Sequence, residues 1–394
     1  MQLFKAKNML TGKIKISCIL LFLLSMLYFQ RCTEEITYPE SVQFSSTVHI
    51  VDSSYVTKGI YGSTDVPGAL VNLSGTSTGL RFSAKTDRRG IATFSHLLPD
   101  FYNCDVQRVY PEDTVLQFLG VAKEAVVVGS KAVQKMSRAA DSFFVALKMV
   151  ARTPFVLSEI YYNGAPPPPP LYFHDQFTEI YNNSQDTVYI DGYAIGDVDY
   201  GYLDDPDFVY CIHLYEFPGN GTDYPVAPGG TVIVAQDAED HTMKNPKSLD
   251  LSNADFEYYN PLSSDIDNPF VPNMIQIHHK YGFDFLYSVM NDAIVLFKLE
   301  EGDTLGYGPF NLIKVPKAWV VDGVEYKEDL GNLEFKRLSD DIDAGLTGGI
   351  PSYQGKSVAR KVFKIIDGQK VLSDHNNSFI DFQVLDIPSP GSIE

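Results

Sequence analysis

The chain has 394 residues, with 50 acidic against 31 basic side chains and a formal net charge of −19. Phosphate backbones are held by Lys and Arg, so a chain this acidic speaks against nucleic acid as a partner and in favour of solubility. Its four cysteines, at 18, 32, 104 and 211, include no Cys-x-x-Cys pair, which argues against a structural zinc site.

The N-terminus is basic, through Lys5, Lys7, Lys13 and Lys15, and an apolar run follows from Ile16 to Phe29. As a helix this run would span roughly 21 Å, short of the roughly 30 Å hydrocarbon core of a bilayer. A positive region followed by a short apolar region is the pattern of a secretory signal. Cys32 comes next, followed by Thr33, Glu34 and Glu35. The arrangement resembles a bacterial lipoprotein signal, although Arg31 stands where that pattern has a small residue. The resemblance implies a signal peptide over 1–31, a lipid on Cys32 that ties the protein to a membrane, and a tether over 32–41. Glu34 and Glu35 also resemble the acidic signals that send some lipoproteins to the outer face of the outer membrane. Without residues 1–31, which hold five basic side chains and no acidic ones, the net charge falls from −19 to −24.

From 42 to 150 the chain reads as short strands. Arg81–Lys85 alternates polar with apolar, as a half-buried strand does, and Asp87-Arg88-Arg89-Gly90 is a turn in which Gly90 can take a positive φ. Tyr102, Cys104 and Val106 alternate again, which puts Cys104 on an inward face. Thr86, Asp87, Gly90, Ala92, Phe94, Leu97, Pro99 and Tyr102 fall where the carboxypeptidase-regulatory-like, transthyretin-related fold has "TD..G.A.F..L.PG.Y". This resemblance implies a non-catalytic β-sandwich spacer. The stretch 112–142 is less regular and receives no role.

A hinge is expected near Ala151–Pro154, and five prolines, Pro166–Pro170, read as a stiff extended segment. Beyond the hinge, Ser158, Glu159, Ile160 and Asn163 precede Glu179, Ile180, Tyr181, Asn182, Ser184, Val188 and Gly192. The turn and strand at 226–241 follow, then Asn291–Leu296, Ser357–Lys361, Asp381-Phe382 and Pro388–Gly391. In that order these motifs resemble the lamin-tail domain, an immunoglobulin-like sandwich, over 154–394, with long inserts at 197–224 and 237–272. The fold expected is therefore all-β, with two β-sandwich domains after a signal peptide. Cys104 and Cys211 then fall in different domains, as separate buried thiols.

Several groups of residues have chemical potential. Glu159 and Glu179 resemble a carboxylate dyad, but no nucleophile, histidine or metal cluster accompanies them, so they are expected to hold loop amides or to face solvent. Closely spaced aspartates at 197–199, 265–267 and 341–343 lie in loops, and Asp341 with Asp343 is the pair weighed for calcium. None complies with an EF-hand, so solvated acidic turns compete with that reading, and no other cofactor is expected. His278 and His279 are adjacent in an alternating segment and should face opposite sides. In the insert, Tyr200, Tyr202, Tyr210, Tyr215 and Tyr224 offer flat apolar area with polar tips. They could meet a ligand or simply cap the core. No phosphate loop or nucleophile elbow is present.

Together these features resemble bacterial cell-surface lipoproteins of unassigned function. The expectation is a non-enzymatic, lipid-anchored envelope protein that binds a partner such as an outer-membrane receptor or surface protein, accessory to nutrient uptake. An adhesin or calcium-binding surface protein is one alternative, and an accessory to an extracellular hydrolase is another.

Overall fold

In the computed structural model the described residues are 43–121, 125–149, 153–167, 171–300, 302–332, 334–366 and 368–394. The leader, Cys32 and Pro168–Pro170 lie outside them. The protein is all-β. Its α-helices among the described residues are short: Val56–Tyr61, Glu112–Leu119 and Ser378–Asp381.

Seven strands before residue 150 form one sheet, in the order Arg81–Lys85, Leu70–Gly75, Asp100–Tyr110, Ala125–Met136, Phe143–Met149, Phe44–Asp52 and Ile91–Leu97. The two strands at the ends of that order are joined by only a five-residue turn, so the sheet curls back around its own core. Gly90 makes the turn possible. It has φ 69°, and a Cβ there would stand 2.4 Å from the Ile50 carbonyl oxygen. The alternation read from the sequence then fills the interior with Val48, Ile50, Val71, Leu73, Phe94, Tyr102, Cys104 and Val106. The 112–142 stretch is more regular than its composition suggested. It supplies the helix Glu112–Leu119 and the long strand Ala125–Met136, whose apolar start pairs antiparallel with 107–110.

After residue 154 two sheets face one another. A six-stranded sheet runs Phe256–Glu257, Thr231–Ala235, Phe177–Asn182, Phe155–Tyr161, Ser357–Arg360 and Phe382–Leu385. The larger sheet has Phe208–Glu216, Tyr193–Val198, Asn291–Lys298 and Val320–Lys327 at its centre, with Ile275–His279 and Ile313–Pro316 both paired to Phe208–Glu216. Leu157, Ile160, Ile180 and Val232 from the first sheet meet Ile195, Tyr215, Ile294, Leu296 and Tyr326 from the second in one core. This is the two-layer packing of a sandwich. The second sheet is also covered on its other face, where Ala194, Val209, Cys211, Val295 and Val315 pack against Leu338 and Ile342. Strand Tyr193–Val198 is therefore buried at every position.

Candidate binding groove

The five tyrosines of the insert do not share one exposed face. Tyr215 lies in the core, stacked on Phe285 with its hydroxyl 3.0 Å from His279 Nδ1. Tyr210 is buried too. Its hydroxyl donates to Asp205 Oδ2 at 2.7 Å, a bond that pushes the phenol up to about 12, and its ring packs 4.4 Å from that of Tyr202. Tyr224 is half-buried against Phe256, whereas Tyr200 is exposed and meets Phe335 edge-on. The correction has a simple cause. The supposed loop contains Phe208–Glu216, an inner strand, and alternate strand residues must face a core.

Asp341 and Asp343 have different surroundings. Asp343 is fully buried, with Oδ1 accepting the Gly345 and Ser378 amides at 2.9 and 2.8 Å and Oδ2 accepting the Glu325 amide at 2.8 Å. Amide donors already surround the carboxylate that a cation would need, while Asp341 lies exposed. Among the described residues no group of three or more His, Cys, Asp or Glu is disposed to hold a metal ion.

Glu159 and Glu179 face each other across neighbouring strands, and both pin the C-terminal turn. Glu159 accepts from Ser357 Oγ at 2.5 Å and from the Ser389 amide and hydroxyl at 3.0 Å. Glu179 accepts from Ser158 Oγ at 2.7 Å and the Gly391 amide at 2.6 Å. Burial pushes both carboxyls up, Glu179 to about 7. Both carboxylates thus tie the C-terminal segment to the strands. His279 reaches Tyr215 inside the fold, while His278 lies against the Tyr307 ring. Cys104 and Cys211 are separate buried thiols, pushed up by burial.

A groove of about 1100 Å³ lies at one end of the larger sheet. Tyr189, Glu216, Ile277, Lys298, Leu305 and Tyr307 line it. Tyr307 is 64% exposed, so the groove presents an aromatic ring at its rim. Glu216 is half-buried, and burial pushes its carboxyl up. Lys298 Nζ stands 3.5 Å from Glu300 and above the Tyr193 ring, fixing a cation opposite.

One wall is the loop Gly219–Gly221, and a buried aspartate shapes it. Asp191 accepts the amides of Gly221, Asp223 and Tyr224 at 3.2, 2.8 and 2.9 Å. Burial pushes that carboxyl up, but the amides of Asp223 and Tyr224 outweigh it and hold it below the usual range. Gly219 has φ 126°, and a Cβ there would stand 2.0 Å from Asp191 Oδ1, so no larger residue fits. None of the five tyrosines singled out in the sequence lines this groove, to which the insert contributes Glu216 and Gly219–Gly221; Asp191 and Tyr307 were not singled out. The Asp191-Gly192 step and the Pro218-Gly219-Asn220-Gly221 turn were the available signals.

The groove combines the Tyr189 and Tyr307 rings with the carboxyls of Asp191, Glu216, Glu300 and Asp303 and the ammonium of Lys298. A family described as "protein of unknown function (DUF4876)" matches residues 227–307 and 309–389. Among solved structures, a DUF4876 family protein from Bacteroides thetaiotaomicron VPI-5482 is similar at 23% identity and a TM-score of 0.54, over 86% of this chain and 94% of that one. That likeness supports the fold. A candidate adhesin from Bacteroides ovatus ATCC 8483 is similar at 10% identity over 75% of this chain and 88% of that one. Its TM-score of 0.18 carries no argument. Comparison with curated proteins gives no match.

Proposed function

We propose that the chain is an exported, non-enzymatic protein of the bacterial cell envelope that captures a partner in the groove bordered by Tyr189, Ile277 and Tyr307. The observation that carries this reading is the groove itself, a wide cavity walled by a loop that Asp191 and Gly219 hold in one shape. A preformed wall lowers the ordering cost of binding. The basic leader and Cys32 support anchoring by a lipid at the outer membrane, facing the cell surface. The sheet built from residues 44–149 then serves as a spacer, and an outer-membrane receptor or surface protein engaged in nutrient uptake is the partner class favoured.

The test is a pair of groove variants, Ile277→Asp and Tyr307→Ala, in the full-length protein. Both residues are partly exposed, so the fold should survive both changes. The reading expects loss of a defined envelope complex in both variants, with the thermal midpoint unchanged. A complex retained by both variants would overturn it.

A further inference from the structure

The four carboxyls of the groove face a single ammonium, whereas the whole chain has 50 acidic to 31 basic side chains, so the groove is more one-sided than the protein around it. Three of the four are committed within the chain. Asp191 takes the amides of Gly221, Asp223 and Tyr224, and Asp303 accepts the Glu300 amide at 2.9 Å. Glu300 lies 3.5 Å from Lys298 Nζ, which engages the ammonium as well.

Glu216 is different. It pairs across strands with Ala194 and, two residues beyond Leu214, points to the same side of the sheet. Leu214 and Ala194 belong to the apolar layer on that face, so the carboxyl stands just past the end of the layer. It is half-buried there and has no hydrogen bond or ion pair with any described residue; burial alone acts on it. A carboxylate drawn partly out of water without a donor costs stability, and a counter-charge from outside the chain offsets that cost.

The lining also narrows the kind of cation. Calcium takes about 6–8 oxygen ligands, and one free carboxylate does not supply them. An ammonium or guanidinium group needs only one, and the Tyr189 and Tyr307 rings are exposed in the groove as faces that attract such groups. At about 1100 Å³ the groove exceeds the roughly 300–1,000 Å³ of small-molecule sites. Gly192, Gly219, Gly221 and Gly302 leave backbone uncovered along it, which lets another main chain approach closely. A basic side chain carried by a polypeptide fits this space better than a free amine.

We propose that the partner is a polypeptide that inserts a lysine or arginine side chain into the groove, where Glu216 receives its charge. This rests on reading the groove as the partner site and adds the chemistry of what enters it. The acidic chain steers a basic segment toward the groove, and salt weakens that attraction.

Fluorescence anisotropy on the full chain tests this with labelled peptides in which four lysines, or four glutamates, are spaced by glycine and serine. The lysine peptide should bind and the glutamate peptide should not. Glu216→Gln keeps the size of the side chain and should weaken binding roughly tenfold or more, and Glu216→Lys should abolish it. Glu112→Gln, at an exposed helix start in the first sheet domain, should leave binding unchanged. If Glu216→Lys lowers the thermal midpoint, the isosteric Glu216→Gln carries the test. Equal affinity of the wild type and Glu216→Gln would overturn the proposal, as would failure of the lysine peptide to bind or its displacement by an equal concentration of spermidine. Isolation of the envelope complex separates this inference from the reading beneath it. Loss in Ile277→Asp and Tyr307→Ala with full retention in both Glu216 variants overturns the basic side chain and leaves the groove. Retention in all four variants overturns the groove itself.

Discussion

Arg360 is the cation on which the second sandwich depends. Its guanidinium is buried, with Nη2 2.6 Å from Asp322 Oδ2, Nη1 2.8 Å from the Ser373 carbonyl and Nε 2.9 Å from the Leu157 carbonyl. Asp374 and Asp381 lie 3.4 and 3.7 Å from Nη1. These partners come from both sheets and from the closing segment 373–381, so one side chain joins all three. Arg360→Ala would leave Asp322, Asp374 and Asp381 buried without the guanidinium. Removing one partner of a buried pair costs about 3–5 kcal/mol, and each carbonyl deprived of its donor adds about 1 kcal/mol or more. Domains have only about 5–15 kcal/mol of stability, so the variant should be marginal at neutral pH. Arg360→Lys keeps the charge but not the planar fork and should recover only part of the loss. Urea titration monitored by near-ultraviolet circular dichroism measures this. The loss should shrink in acid, where the orphaned carboxyls take up protons. A cost below about 1 kcal/mol for Arg360→Ala at pH 7 would refute the reasoning, because it would mean water already screens the pair.

Other outcomes follow from the same structure. Burial pushes Glu179 up to about 7, so its contribution to stability is lost as pH rises from 4.5 through that value; Glu179→Gln should flatten the trend in urea midpoints between pH 5 and 8. Gly219→Ala forces a Cβ against Asp191 at a positive φ; it should cost about 1 kcal/mol or more in thermal unfolding and displace the groove wall. Cys104 and Cys211 are buried thiols and should react with a soluble disulfide reagent only after unfolding, whereas thiols titrating in the native state would contradict their placement. Cys32→Ser should move the protein from the membrane to the soluble fraction, and unchanged membrane association would contradict lipid anchoring.

Much of the fold was legible because it rests on local pattern. The alternation in Arg81–Lys85 and the Asp87–Gly90 turn describe a strand and its reversal without any long-range information. The inward position of Cys104 followed from the same period of two. For Glu159 and Glu179 the sequence left loop amides and solvent both open, because their partners, Ser389 and Gly391, lie more than two hundred residues away.

The site was harder to read. Strand Phe208–Glu216 was taken with the aromatic loop insert around it, although its apolar and β-branched residues suit a strand; its pairing with 193–198, 275–279 and 313–316 makes it an inner one. Tyr215 is core for that reason. Asp343 looked like a cation ligand because sequence cannot show that three amides already occupy its oxygens.

The central claim is that the groove meets a partner at the envelope, and site-specific photocrosslinking in intact cells tests it most directly. A photoreactive side chain at Ile277 or Tyr307, placed one at a time, should give the same defined adduct. A probe at exposed Lys85 on the first sheet should not, and Gly219→Ala should reduce the groove adducts. Adducts of equal yield from Lys85 and from the groove, or none from the groove, would contradict the account.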